Sequence, residues 1–336
     1  VNPKHLESRV KVIDLTLGQV DSSVILREVQ DRADSVFDLE TDLLLRVYYI
    51  QSASQVYLYI IIHHLCIDGV SWRILLEDLA LLLKAVQEGR KVALPEAGVS
   101  FREYARRYVE YLKTTGEEKK DGAGNRLSGG VRHSRRYGDL EEYRFTLDVE
   151  LTKRIMALAK EPHGTKIQEL LLIAFIMLLK RVYGYDCVVC EIEGHGRDVM
   201  AGVDTRRTVG WFTNVRKVLV DYPGGTIAEQ IRALKEEIQY PGIEWEQSGN
   251  LHGYSDRRDL ACIRFNYLGE IIDLDSECFI LYDLIIRGDL SEVNKSGLAM
   301  ELNTIVAYNK LRISILCPRG NQISSQILNG YYTSCL

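Results

Sequence analysis

The sequence predicts a mixed α/β protein (α+β in the wider sense) built from two lobes of similar organisation. The chain has 336 residues, which is enough for two sizeable hydrophobic cores. Strand patterns alternate with helix patterns in both halves. A stretch with few apolar residues, 114–139, lies between the halves and predicts a loop or linker. We therefore assign residues 1–136 to an N-terminal lobe with its linker and residues 137–336 to a C-terminal lobe.

The first half combines short strands with helices. Strand patterns cover 10–15, 43–50 and 56–62, and the last is an uncharged β-branched and aromatic run that predicts a buried strand. A helix is expected over 22–36. From Ser71 apolar residues recur every three or four positions as far as Gly89, which predicts a helix that ends at this glycine. Ser100 and Glu103 have the form of a capping box and predict the start of another helix.

The second half repeats this alternation. Helices are expected over 150–160, from a capping box at 165–168 to Gly184, and from a further capping box at 226–229. The helix before Gly184 is apolar on nearly every side, so we expect it to be central. Strands are expected over 143–147, 187–193, 215–220, 261–267, 279–286, 299–305 and 311–316.

Composition favours a globular enzyme of the cytoplasm. The chain is 46% hydrophobic and 26% charged, and its net charge of −5 gives no indication of binding to nucleic acid or an anionic membrane. The polar start predicts no signal peptide, and the chain resembles an excised domain. The longest apolar run, 170–179, is shorter than the ~18 residues of a membrane span.

The seven cysteines are odd in number and scattered, which favours reduced thiols over a disulfide framework. Cys187 and Cys190 have the spacing of a metal or redox pair. On a strand, however, residues three apart point to opposite faces, so we expect no metal site there.

A pair of histidines follows the strand pattern at 56–62. His63 and His64 come directly after it, and Asp68 with Gly69 provides turn chemistry before the long helix. This arrangement places two imidazoles at the end of a strand, where α/β proteins tend to have their functional sites. His64 can donate or accept a proton near neutral pH. We expect the Asp68 carboxylate to be buried and paired within the loop or with an arginine, because a buried charge must be satisfied.

Three further motifs follow in the second half. Glu193, His195 and Arg197 belong to a glycine-flanked loop, Glu-Gly-His-Gly-Arg, which could also be a tight turn with a surface ion pair. Two motifs come next: Val-Gly-Trp-Phe-Thr-Asn at 209–214 and Phe-Asn-Tyr-Leu-Gly at 265–269. Taken alone, residues of these types are more often core or strand-end residues than site residues; this applies to Trp211, Phe212, Asn266 and Tyr267.

Taken in order, these four motifs resemble the epimerization domains of nonribosomal peptide synthetases, a branch of the condensation superfamily. The resemblance implies two chloramphenicol-acetyltransferase-like lobes in a V, with an active-site channel between them. It also implies an isomerase with His64 and Glu193 as catalytic acid and base. The supporting residues would be His63, Asp68, Gly69, His195, Arg197, Asn266 and Tyr267, and the channel would be lined by Trp72, Trp211 and Phe212.

The resemblance further implies a substrate held as a thioester on the 4′-phosphopantetheine arm of an upstream peptidyl carrier domain. Neighbouring synthetase modules of antibiotic biosynthesis would be the partners, and the domain would bind no metal or cofactor of its own. The chain departs from the family pattern at Asn214–Lys217 and at Asp198, and it has no counterpart of the family's opening segment. Two alternatives therefore stay open: an amide-forming condensation domain, which would use the same His64, and a non-catalytic member that only docks partner proteins.

Overall fold

The structure is a computed structural model. It describes residues 14–16, 37–51, 56–115, 135–159, 166–239, 261–271, 295–296 and 298–319, with the single positions 330 and 334. The expected helix at 22–36, the strand at 279–286 and most of the expected linker (116–134) lie outside the described residues.

The first half contributes a small sheet. Strand β1 (Asp14–Thr16) pairs in parallel with β2 (Leu45–Gln51), which pairs antiparallel with β3 (Val56–Ile62). The strand at 56–62 is thus confirmed, but the expectation that it is buried is wrong. Val56 is 55% exposed and Leu58 48% exposed, and the other five residues of the strand are half-buried.

Two helices follow in the described residues of the first half. Helix α1 (Gly69–Gln87) begins two residues earlier than expected because Asp68 is its N-cap. Gly89 has φ +64° just past its end, as expected for a C′ glycine. Helix α2 (Phe101–Thr115) starts after Ser100, whose hydroxyl accepts from the Glu103 amide at 3.2 Å, so this half of the capping box is confirmed.

The second half forms a larger sheet. Its strands are β5 (Leu140–Thr146), β6 (Cys187–Gly194), β7 (Asn214–Asp221), β8 (Ala261–Ile271), β10 (Met300–Ala307) and β11 (Lys310–Pro318). Among the described residues their order is β5-β11-β10-β8-β6-β7, and β8 runs parallel to both of its neighbours. The short strands β4 (Arg135–Arg136) and β9 (Lys295–Ser296) pair separately. The boundary proposed at 136/137 stays a prediction.

Within the described part of the second half, three helices accompany this sheet: α3 (Val149–Leu158), α4 (Ile167–Tyr183) and α5 (Ile227–Gln239). Eight residues of α4 are buried in the main hydrophobic core, so its central position is confirmed. Gly184 ends the helix at φ +73°, also as expected. The expected capping box at 165–168 is wrong by one residue, because Lys166 is the N-cap and its amide donates to Glu169 at 3.0 Å. At the start of α5 the reciprocal bonds between Thr226 and Glu229 confirm that capping box.

The two faces of the large sheet differ in chemistry. Cys190, Ile192 and Phe265 point to the helices and contribute to the main core. Glu191 and Glu193 alternate with them and therefore lie on the other, polar face. Cys187 packs with Val189 and Leu219 on that second face, so the expected separation of the two cysteines is confirmed. Within the described ranges no group of three or more His, Cys, Asp or Glu side chains could hold a metal ion.

The segment 195–213 connects β6 to β7 and crosses to the first half; we call it the crossing segment. Its Asp204 carbonyl accepts from the Val99 amide at 3.0 Å, and its Arg207 pairs with Glu77 of α1 at 2.9 Å. Helix α1 also packs on β8. The two halves are therefore held together by α1 and this segment. In the part of the chain that the structure describes, no helix is long and apolar enough to cross a membrane.

Candidate active site

The two histidines after β3 have different surroundings. His63 caps the short 3₁₀ helix His64–Cys66, where its Nδ1 accepts from the Leu65 amide at 3.2 Å. His64 is exposed, and its ring centroid lies 5.5 Å from that of Trp211 in an edge-to-face arrangement. The fold thus brings together one histidine of the first half and one tryptophan of the crossing segment. His63 supports the turn, whereas His64 is exposed beside Trp211.

Asp68 is buried at the interface of the halves, with 2% of its surface exposed. Its carboxylate accepts from the Ser71 amide at 2.7 Å, from Arg197 Nη2 at 2.9 and 3.1 Å, and from the Phe212 amide at 3.1 Å. The prediction that this carboxylate is buried and paired with an arginine is confirmed. Asp68 therefore joins the start of α1 to the crossing segment.

Arg197 stabilises the crossing segment through hydrogen bonds to backbone carbonyls of the same segment. Its Nη1 donates to the carbonyls of Thr205 at 2.7 Å and Thr208 at 2.8 Å. Its guanidinium carbon lies 4.1 Å from the centroid of the Phe212 ring. This corrects one expectation, because Phe212 is buried among Tyr104 and Met200 and so does not line an open channel.

Ser71 is a fully buried member of this interface that the sequence analysis missed. Its hydroxyl donates to the Gly210 carbonyl at 2.9 Å and accepts from the Gly210 amide and from Arg197 Nη2, both at 3.0 Å. The sequence signal was its position three residues after Asp68, which is the N3 position of a capped helix. That spacing locates the cap but gives no indication of the contact 139 residues away.

Glu193 is the second-to-last residue of β6, on the polar face of the sheet. Its side chain is 23% exposed, and within the described residues its carboxylate accepts no hydrogen bond. Burial raises its pKa above the ordinary glutamate value, and the charges of Glu301 and Glu191 act in the same direction. The charges of Arg264 and His64 oppose this rise in pKa, so His64 lies within electrostatic reach of Glu193 although it belongs to the other half.

The remaining predicted residues are distributed around this centre. Asn266 follows Arg264 by two positions on β8 and therefore shares the polar face with Glu193. Tyr267 lies on the opposite side, where it packs against the main core and burial raises its pKa to about 12. His195 is exposed, and its Nδ1 accepts from the Arg197 amide at 3.1 Å.

Two predicted residues lie in the first turns of α1. Gly69 comes close to β8, since a Cβ there would lie 3.5 Å from Leu268 Cδ2. Trp72 is half-buried, and its amide donates to the Asp68 carbonyl at 3.1 Å. Apart from the channel role of Phe212, the catalytic, supporting and channel roles assigned to the predicted residues stay predictions.

A charged cluster beside Glu193 was also missed. Arg264 donates to Glu191 Oε2 through Nη2 at 2.7 Å and Nε at 3.1 Å, and Lys217 lies 3.2 Å from Glu191 Oε1. Arg264 Nη1 lies 3.8 Å from Glu301. The alternation Glu191-x-Glu193 in a strand indicated a charged face, but the neighbours across it depend on strand register.

Known proteins with similar sequences are large synthases. The chain is 27% identical over 329 residues to surfactin synthase subunit 1 of Bacillus subtilis, covering 92% of this chain and 9% of that protein. It is 30% identical over 303 residues to bacitracin synthase 3 of Bacillus licheniformis, covering 82% of this chain and 5% of that protein. The chain thus spans a tenth or less of the length of these relatives.

Solved structures share the fold. The epimerization domain from the third module of tyrocidine synthetase B superposes with a TM-score of 0.77 at 24% identity, covering 96% of this chain and 78% of that one. The condensation domain of the Monacolin K polyketide synthase superposes with a TM-score of 0.64 at 13% identity, covering 97% and 78%. These likenesses confirm the expected α/β fold class. Residues 1–241 match the Condensation domain family, to which this chain therefore belongs.

Proposed function

We propose that this chain is an epimerization domain, an isomerase that inverts the Cα of an aminoacyl or peptidyl thioester. The observation that carries the proposal is the buried ion pair between Asp68 and Arg197, which joins the short stretch that carries His64 to the one that carries Glu193. Glu193 is a largely buried carboxylate; burial raises its pKa, and the charge of His64 opposes this rise. Groups at pKa values close to the working pH are efficient in proton transfer.

The chemistry explains why two groups are needed. The Cα–H bond breaks as one group takes the proton, and the electron pair moves into an enolate whose oxygen must be stabilised. A second group then delivers a proton to the opposite face of Cα, which inverts the centre. His64 and Glu193 are the proposed pair, with Asn266 on the polar face as a hydrogen-bond donor to the enolate. Side chains make both proton transfers, so the reaction requires no cofactor of the domain's own.

The wider context of the proposal comes from the relatives. The substrate would be carried on the phosphopantetheine arm of an upstream carrier domain in a nonribosomal peptide synthetase. Neighbouring modules and a cytoplasmic location belong to the same proposal. Support comes from the higher TM-score with an epimerization domain (0.77) than with a condensation domain (0.64).

The test uses an L-aminoacyl carrier substrate and its D-counterpart in deuterated solvent. The parent protein should convert either one to an L/D mixture with deuterium at Cα, as read by mass spectrometry and chiral analysis of the released acyl group. Both His64→Ala and Glu193→Gln should abolish inversion, because the second proton transfer lacks its donor. One variant should still exchange the Cα proton of the L-substrate without inverting it, and the other variant that of the D-substrate.

The same assay separates the alternatives. An amide-forming domain would join the acyl group to a second carrier-bound amine, which intact mass spectrometry would show as a longer product. A docking member would change neither substrate. Inversion at the parent rate by Glu193→Gln would refute the proposed role of this carboxylate.

A further inference from the structure

The polar face of the large sheet concentrates charge around Glu193. Three carboxylates, those of Glu191, Glu193 and Glu301, surround the one guanidinium of Arg264 on three neighbouring strands. Register produces this arrangement, since Arg264 is paired with Glu191 of β6 on one side and with Glu301 of β10 on the other. All four side chains are at least two-thirds buried, so water screens their charges only in part.

The contacts of Arg264 are unequal. Glu191 accepts two hydrogen bonds from it, at 2.7 and 3.1 Å, whereas its Nε is 3.9 Å from Glu193 Oε1. A guanidinium with two donors on one carboxylate has a fixed orientation. Glu193 therefore feels the positive charge without being tied up in a hydrogen bond, and its oxygens remain available to a substrate proton.

We propose that Arg264 is a positioning residue for Glu193: anchored by Glu191, its guanidinium lies beside the neighbouring carboxylate and keeps it in its proton-accepting form. The inference rests on the proposed role of Glu193. Burial and two other carboxylates favour the protonated form of Glu193. The charge of Arg264 explains how Glu193 can still act as a base. The acid/base balance of Glu193 is then a property of the cluster on three strands.

Among the described residues, the charges that act on Glu193 come from its own strand, from β8 and β10, and from the first half. Arg264 of β8 and His64 of the first half lower its pKa, while Glu301 of β10 and Glu191 of its own strand raise it. At one remove, Lys217 of β7 contacts Glu191, and Tyr137 hydrogen-bonds to Arg264. Removing a positively charged neighbour should therefore raise the pKa of Glu193, and removing a negatively charged neighbour should lower it.

The experiment is a carboxyl ¹³C NMR titration of the whole chain labelled at glutamate Cδ, with the Glu193 resonance assigned from its loss in Glu193→Gln. Arg264→Gln should move the Glu193 midpoint upward by about one pH unit, the low end of the range for an opposite charge at this distance, because Glu191 shares the guanidinium. Glu191→Gln should move the midpoint downward, since it removes a negative charge and releases Arg264. Arg144→Gln on β5 is the matched control and should leave the midpoint unchanged, because Arg144 pairs with Glu142.

Direction distinguishes positioning from mere structural support. Loosening of the site would expose Glu193 and move its midpoint down toward the ordinary value, opposite to the effect of losing the positive charge. An unchanged or lower midpoint in folded Arg264→Gln would overturn the inference. If that variant does not fold, an unchanged or higher midpoint in Glu191→Gln would do so. The titration requires no turnover. A parent protein that fails to invert the carrier substrate would therefore refute the proposed function, but the titration midpoints could still be interpreted.

Discussion

The buried contact between Asp68 and Arg197 gives the sharpest test of how the halves are joined. The perturbation is Asp68→Ala, which removes the acceptor of four hydrogen bonds, two of them from Arg197. The side chains of Asp68 and Arg197 are 2% and 8% exposed. The substitution therefore leaves a guanidinium in the interface without its carboxylate.

The expected magnitude follows from these contacts. Breaking a buried ion pair by removing one partner costs about 3–5 kcal/mol. Loss of the N-cap bond to Ser71 alone would cost about 1 kcal/mol, so the pair dominates. For a chain of this size, about 1.4 °C in Tm corresponds to 1 kcal/mol, which predicts a fall in Tm of roughly 4–7 °C.

The assay is thermal unfolding of the parent, Asp68→Ala, Arg197→Met and the double variant. The double variant should lose less stability than the sum of the single ones, because residues in direct contact are coupled. Asp68→Asn is the matched control: it keeps an N-cap acceptor, loses the charge and should unfold between the parent and Asp68→Ala. A parent-like Tm in Asp68→Ala together with lost turnover would refute this reasoning and give Asp68 a direct part in the chemistry.

Two further predictions concern single positions. Gly196→Ala should destabilise the protein more than Gly202→Ala, as measured by denaturant unfolding. Both glycines have positive φ, which costs about 1–2 kcal/mol for alanine. A Cβ at 196 would also lie 1.8 Å from the Phe212 carbonyl oxygen, whereas nothing lies within 4 Å of a Cβ at 202. Equal losses would contradict the close approach. A raised pKa means that ionisation of Glu193 lowers the stability of the folded protein. Glu193→Gln should therefore be at least as stable as the parent at about pH 8. The difference in stability should vanish as the pH falls below 4.5, where the carboxyl of the parent is protonated. A parent that is the more stable protein at high pH would contradict the assigned direction.

Local signals predicted much of the fold. Capping residues and apolar periodicity located α1, α4 and α5 to within a few residues, because these signals act over one or two turns. The burial of β3 was predicted wrongly since an apolar run gives no information on whether a second layer covers it. The N-cap of α4 differed by one residue because Glu169 accepts from the Lys166 amide.

Long-range contacts account for what the sequence did not reveal. The motifs indicated Asp68 and an arginine partner, but Ser71 meets Gly210 across 139 positions. The cluster around Arg264 depends on which residues of β8 stand beside Glu191 and Glu301, and a shift of one residue in register would turn those side chains to the other face. A single sequence carries no direct signal for such register.

The spacing of the motifs relates stability to the geometry of the site. Asp68 comes four residues after His64, and Arg197 comes four residues after Glu193. The ion pair between Asp68 and Arg197 therefore ties together the two short stretches that carry the proposed proton-transfer groups. The crossing segment adds Trp211 beside His64 and the Phe212 amide on Asp68. A buried charge pair is a weak source of net stability compared with apolar packing. Under the proposed function, this pair would instead serve to hold His64 and Glu193 at one fixed separation.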